Sequence, residues 1–181
     1  MSTRQLVIVD IETTSLNTKT CAILEVAAVN TATGASVRFV PFVHDDDLVH
    51  VDPVAMQING YHDRGLYEEM LSPADTEEWW DILRGMLTGN TFGGSNPRFD
   101  SDLVAREIDP TVWHHRLADI ANYTAGALKL SPTELPGLDR CCELLGVHND
   151  GPHSALHDAI ATARCFAAIE RLHGEDSEWI R

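Results

Sequence analysis

Two acids one residue apart, Asp10 and Glu12, close a short apolar run at residues 5–11, QLVIVDI. In an extended strand, side chains i and i+2 leave the same face, so both carboxylates would point to one side at the strand's end. Neighbouring carboxylates resist ionising together unless a cation lies between them, which makes the pair a candidate for hard-metal binding. A solvated strand end in an acidic chain is the plain alternative. A third acid, Asp100, stands in Asn96-Pro97-Arg98-Phe99-Asp100. With Asn96 as N-cap it falls one turn into a helix, where the macrodipole favours an acid whether or not it has a function. The segment His153-Ser154-Ala155-Leu156-His157-Asp158 adds an imidazole and a fourth carboxylate. Ser154 as N-cap leaves His153 on the preceding loop and fixes Asp158 in the first or second helical turn. A loop imidazole beside a rigid carboxylate suits a general base next to a metal ligand. An ordinary loop histidine followed by a dipole-favoured acid is the reading that needs no chemistry.

The elements that must carry these residues follow from apolar spacing. Residues 5–11, 22–30 and 35–43 are apolar and β-branched, and the Thr31-Ala32-Thr33-Gly34 loop suits a hairpin, so the chain opens as a β-meander. Residues 52–60, DPVAMQING, have an N-cap acid, Pro at the first helical position and a Gly stop, which predicts a short helix. Residues 73–87 show helical spacing with Trp79, Ile82, Leu83 and Met86 on one side, ended by Gly89. Residues 91–95, TFGGS, are too rich in Gly for a robust strand, and the helix opened by Asn96-Pro97 is expected to reach about 107. A weak strand at 112–120, helices to 128, over 138–145 and from 154 to about 172 complete the pattern. This is a mixed α/β domain: a central mixed sheet flanked by helices, with no internal repeat or linker, so residues 1–181 read as one domain.

Composition bounds the function. The 181 residues are 44% hydrophobic and 23% charged, which excludes collagen-like, disordered and coiled-coil classes. No stretch reaches the roughly 18 apolar residues of a membrane span, and the start, MSTRQLVIVD, has no signal-peptide pattern, so a cytoplasmic, membrane-free protein is expected. Cys21, Cys141, Cys142 and Cys165 form no CxxC pair and read as reduced core thiols. Twenty-eight acids against 13 bases give a net charge of −15, which argues against a basic platform for duplex nucleic acid. Positive charge at a nucleic-acid site would have to come from bound divalent cations.

Taken in order, D-x-E at Asp10 and Glu12, N-P-R-F-D ending at Asp100, and H-x-A-x-x-D from His153 to Asp158 resemble the DEDDh 3′–5′ exonucleases. This DnaQ-like group includes the proofreading subunit of bacterial replicative polymerase, RNase T and oligoribonuclease. The resemblance spans nearly the whole chain and implies a ribonuclease H-like fold. It also implies that Asp10, Glu12, Asp100 and Asp158 hold two divalent cations, Mg²⁺ or Mn²⁺, and that His153 is the general base. The implied reaction is two-metal hydrolysis of phosphodiester bonds at 3′ ends of single-stranded nucleic acid, releasing nucleoside 5′-monophosphates. DNA is favoured over RNA, as in proofreading or repair; an RNase T- or oligoribonuclease-like exoribonuclease is the alternative. A catalytically silent binding module on the same fold would normally lack a ligand, and all five positions are filled. A structure-specific endonuclease on that fold would usually lack the His motif.

The same resemblance implies that Thr13, Leu16 and Asn96 lie at the substrate, with Ser15 standing where many members have Gly. It gives Gly60-Tyr61-His62 a loose match to a turn near the substrate and Asp119 a supporting place. A polymerase or other replication partner is a further expectation, although the chain stops at Arg181 without the long tail of the bacterial proofreading subunit. His114-His115 beside Trp113 reads as a surface pair rather than a zinc site. Of Trp79 and Trp80, one is expected in the core and its neighbour at the interface. Phe99 reads as core, Asp45-Asp46-Asp47 as a solvated turn, and His157 as a neighbour of the base rather than the base itself.

Overall fold

In the computed structural model, residues 4–49 and 51–176 are described, with side chains as far as 172. The expectations attached to the first three residues and to Arg181 lie outside the described residues. The first strand, β1 (Leu6–Thr13), forms because Val7, Ile8 and Val9 find complete burial between two helical layers. It runs two residues beyond its expected end, so Asp10 and Glu12 sit within the strand and a bulge follows between Glu12 and Thr13. β2 (Ile23–Asn30) pairs with it antiparallel, Asp10 opposite Ala27 and Glu12 opposite Glu25. β3 (Ser36–Phe39) is four residues, shorter than its apolar run, which turns away at Pro41 where a ladder donor is missing. The short helix α1 (Pro53–Asn59) is capped as its sequence predicts: Asp52 Oδ1 accepts from the Val54 N–H at 2.9 Å, and Gly60 ends it at φ 61°.

The helix α2 (Pro73–Leu87) has its expected bounds, and of its expected stripe Leu83 is buried while Trp79 and Met86 pack partly buried against the core. Trp80, Leu83 and Leu87 are buried, whereas Ile82 is 49% exposed, because the sheet lies about one residue round the helix from the stripe read off the sequence. Trp80 fills the core against Phe39 edge-on, and Trp79, half-buried, stacks on the same ring. β4 (Thr91–Gly94) corrects the expectation that this segment is too rich in Gly for a robust strand, since it pairs parallel to both β1 and β5 inside the sheet. Its glycines are there for close approach: a Cβ on Gly94 would lie 2.9 Å from the Val9 carbonyl oxygen, and one on Gly93 would lie 2.7 Å from Leu6 Cδ1. Gly94→Ala is therefore expected to cost about 1–3 kcal/mol, a Tm lower by roughly 3–10 °C in a thermal melt. A melt equal to wild type would contradict this packing.

The helix α3 (Pro97–Val104) is shorter than expected, and Asn96 enters it at φ 58° without a side-chain cap bond. Two-residue β5 (Ala118–Asp119) leads into α4 (Ile120–Leu128), whose first N–H groups are met by Asp119 accepting from Ala121 N at 2.9 Å. Then come α5 (Leu138–Leu145), stopped by left-handed Gly146, and α6 (Ala155–Asp176). Among the described residues the five strands lie in the order β3-β2-β1-β4-β5, antiparallel on the β2–β3 side and parallel across β1–β4–β5. Strand alternation sends Val7, Val9 and Ile11 to the α2–α3 core and Ile8 to the opposite core, built with α5 and α6. Asp10 and Glu12 share the Ile8 face by the same period of two, which aims them at the layer that carries Asp158. A third apolar group, with Leu24, Val43, Met56, Tyr61 and Leu66, seats α1 beside the end of β1. The cysteines are buried and free, and no described helix is long and apolar enough to cross a membrane.

Candidate metal and nucleic-acid site

β1 and α6 bring three acids together. One ligand oxygen from each of Asp10, Glu12 and Asp158 lies within 4.8 Å of the others. Asp158, only 9% exposed, is held by the Asn149 amide on Oδ1 and by the His153 N–H on Oδ2, the latter at 3.0 Å. Asp100, on the first turn of α3, is 4% exposed. It stands near enough to Asp10 to repel it, but outside the group of three whose oxygens converge.

The electrostatics are those of acids crowded without a counter-charge. Burial pushes the Asp10 carboxyl well above the ordinary carboxylate range, and Asp100, Glu12, Asp158 and Glu25 add repulsion. Burial likewise lifts Glu12 to about 7, reinforced by Asp158 and Glu25 and opposed by Arg64. Asp100 is raised by burial although N–H groups at Asp100 and Ile11 favour its charge. Asp158 is raised by burial despite Asn149 and the His153 N–H. Hard carboxylate oxygens that cannot all ionise alone fit a divalent ion such as Mg²⁺ or Mn²⁺.

A pH dependence follows. The folded chain keeps protons that the unfolded chain releases, for Glu12 between its ordinary value of 4.5 and about 7. Without cations, stability is therefore expected to fall as pH rises through that window. A divalent cation takes the deprotonated acids and should restore the loss at pH 8 far more than at pH 5. The expected Tm gain from saturating Mg²⁺ or Mn²⁺ at pH 8 is on the order of 5–10 °C by differential scanning fluorimetry. Equal melts with cation and with chelator at pH 8 would contradict a metal site.

His153 lies on the loop before α6, exposed, with φ 63°. With Asp10, Ser95, Leu138, Asp139, Pro152 and Asp158 it lines a cleft of about 230 Å³. On the other side of Glu12, a groove of about 190 Å³ is lined by Thr13, Leu16, Val54, Ile58, Asn59 and Phe99 among others. Leu16 is 82% exposed at its lip. Thr13 is buried and donates to Ser15 O at 2.8 Å. Asn96 is exposed at the start of α3 and is not among the residues lining either space. Phe99 is half-buried, one side on the α2–α3 core and the other on this groove.

Some of these residues carried no signal in the sequence. Val54, Ile58 and Asn59 read simply as residues of the helix over 52–60, and Asp139 as one residue of the helix over 138–145. The outward spacing of Val54 and Ile58, i and i+4 on a short helix and at least half exposed, was the available hint. The features set aside earlier are neither among the three converging acids nor in the lining of the cleft. The His114 and His115 rings lie tilted against one another with centroids 4.3 Å apart, Asp45 to Asp47 open an exposed 3-10 turn, and the His157 ring packs against Gly151.

The sheet order, the helices on both faces and the acids on the central strand define a ribonuclease H-like fold of the exonuclease type. The family model described as Exonuclease, of the RNase T type, matches residues 7–166, and the chain belongs to that family. No curated protein matches the chain. Among solved structures, apo exonuclease I superposes with a TM-score of 0.71 at 18% identity over 94% of this chain and 42% of its own. The zinc-bound Escherichia coli exonuclease I complex with single-stranded DNA gives 0.73 at 18% identity over 95% of this chain and 41% of its own. The complex of exonuclease I with the SSB C-terminus gives 0.71 at 18% identity, over 94% and 42%. The chain thus spans less than half the length of these relatives.

Proposed function

We propose that residues 1–181 form one exonuclease domain that hydrolyses phosphodiester bonds at 3′ ends of single-stranded nucleic acid, with DNA preferred to RNA. The observation that carries this is the convergence of Asp10, Glu12 and Asp158 within 4.8 Å, with Asp100 buried beside them and an exposed imidazole at the rim. Membership of the exonuclease family supports the activity, and exonuclease I bound to single-stranded DNA supports the substrate class. Asp10, Glu12, Asp100 and Asp158 would hold two divalent cations, which supply charge neutralisation at the scissile phosphate and lower the pKa of water.

The chain's own residues do the rest. His153 takes the proton of the attacking water and, being on a loop, can reach the cleft from outside the sheet. The Asn149 amide and the His153 N–H orient Asp158. The groove formed by Thr13, Leu16, Val54 and Ile58 takes the terminal nucleoside, its apolar lip offering a surface for the base. With a net charge of −15, attraction for the polyanion is confined to the cation-loaded cleft, which favours short, flexible ends over duplex. A replication protein is the proposed macromolecular partner, as the SSB C-terminus is for exonuclease I.

The test is hydrolysis of matched 5′-labelled DNA and RNA oligomers with chromatography of the released product. DNA shortened from the 3′ end faster than RNA, with nucleoside 5′-monophosphates released, is the expected result. Faster RNA shortening would move the substrate to the exoribonuclease alternative, and internal cuts would overturn the exonuclease mode.

A further inference from the structure

The charged side chain with the least exposure among the described residues is Glu25, at 0%. It lies on β2 opposite Glu12 and is not among the acids that converge in the cleft. Its carboxylate is instead saturated from three directions. Arg38 Nε donates at 2.6 Å, Arg64 Nη2 donates to both oxygens at 2.8 Å, and the N–H of Ala155, first residue of α6, donates at 3.2 Å. Glu69 holds the far side of Arg38, so the two guanidiniums meet two carboxylates. A buried acid satisfied in this way is a fixed anchor for whatever its partners hold.

Arg64 uses that anchor to reach the cleft. Its Nη1 donates to the carbonyls of His153 and of Asn59, each at 3.1 Å, and Nη2 also donates to Ser154 Oγ at 3.1 Å. Asn59 in turn donates from Nδ2 to the Thr13 carbonyl at 3.0 Å. One guanidinium therefore ties together the end of β1, the α1 wall of the groove and the loop that carries His153. The His153 peptide is gripped on both sides, its N–H by Asp158 and its carbonyl by Arg64. This grip holds a residue at φ 63°, a backbone state that costs energy outside glycine. Left-handed Gly60 turns the chain so that the Arg64 stem packs over it, where a Cβ would come within 3.3 Å of Arg64 Cδ.

We infer that Arg64, anchored on Glu25, is a positioning residue that fixes His153 over the cleft and couples that loop to the wall of the nucleotide groove. The inference rests on the exonuclease reading above. Arginine is required because five acceptors in different directions are met by one planar fork, which the single ammonium of lysine cannot span.

The test is steady-state hydrolysis of a 5′-labelled single-stranded oligomer by wild type, Arg64→Met, Arg64→Lys, His153→Ala and the Arg64→Met/His153→Ala double variant. Arg64→Met is expected to lower kcat about 10–100-fold while KM moves less than about 3-fold, and Arg64→Lys to recover part of the loss. In the His153→Ala background the same change should cost less than about 2-fold, since the group being positioned is gone. Amide hydrogen exchange over residues 149–155 should accelerate in Arg64→Met and stay unchanged over α2. Should Arg64→Met fail to fold, Ser154→Ala removes one acceptor with the Glu25 pair intact and should give the same split at about 2–5-fold. A loss in the double variant equal to the product of the single losses, or a fall confined to KM, overturns the inference. Wild-type shortening matched by Arg64→Met overturns the inference alone. Wild type that shortens nothing overturns the exonuclease reading and the inference with it.

Discussion

Asp10→Asn is expected to lower the rate of 3′-end hydrolysis by at least about 10³-fold, the loss of roughly 4 kcal/mol of charge stabilisation in the transition state. Asp10 is the acid around which the others gather, with Asp100, Glu12, Asp158 and Glu25 all repelling its charge. Asn keeps the shape and removes the charge. The stability change should therefore have the opposite sign to the activity change: the cation-free variant should melt higher than wild type at pH 8, because one repelling charge is gone. Its melt should also respond less to Mg²⁺ or Mn²⁺. An Asp10→Asn protein that is inactive because it is unfolded would show a lower melt, and one that is fully active would show that the acids do not hold the catalytic ions.

The second large effect is expected at His153. His153→Ala should reduce kcat by about 10²–10⁴-fold, the usual contribution of a general base, while the stabilisation by divalent cation is retained. The split follows from geometry: the imidazole is exposed on the loop and the converging oxygens come from Asp10, Glu12 and Asp158. The backbone N–H that orients Asp158 survives the substitution. The limb of the pH–rate profile due to the base should disappear with it. An unchanged rate and an unchanged profile would remove His153 from the mechanism, and His157 would be the next residue to test.

What could be read from the sequence was local. The two-residue spacing of Asp10 and Glu12 placed both on one strand face, and the cap at Asp52 and the stops at Gly60 and Gly146 appear where helix ends require them. The strand at 91–94 was not legible, because glycine weakens a strand in isolation and is favoured here only by the closeness of Val9 and Leu6. The buried face of α2 was displaced by one residue because two adjacent tryptophans satisfy either stripe. Asn96 was expected to cap with its side chain, yet enters the helix in the left-handed region without doing so. Ser154 holds the N-cap position of α6 as expected, its carbonyl accepting from the Asp158 N–H at 2.9 Å, but its hydroxyl accepts from Arg64, and the Ala155 N–H is met by Glu25. That bond joins residues 130 positions apart, which no local pattern displays.

The most direct measurement is a Mg²⁺ and Mn²⁺ titration of hydrolysis on a 5′-labelled single-stranded oligomer, with Asp10→Asn purified in parallel as the control for contaminating nuclease. A ladder that shortens from the 3′ end only when cation is present, and that is absent with Asp10→Asn, is the expected result. Shortening that persists in chelator, or that Asp10→Asn performs as well as wild type, would contradict a cation-loaded carboxylate site as the seat of the reaction.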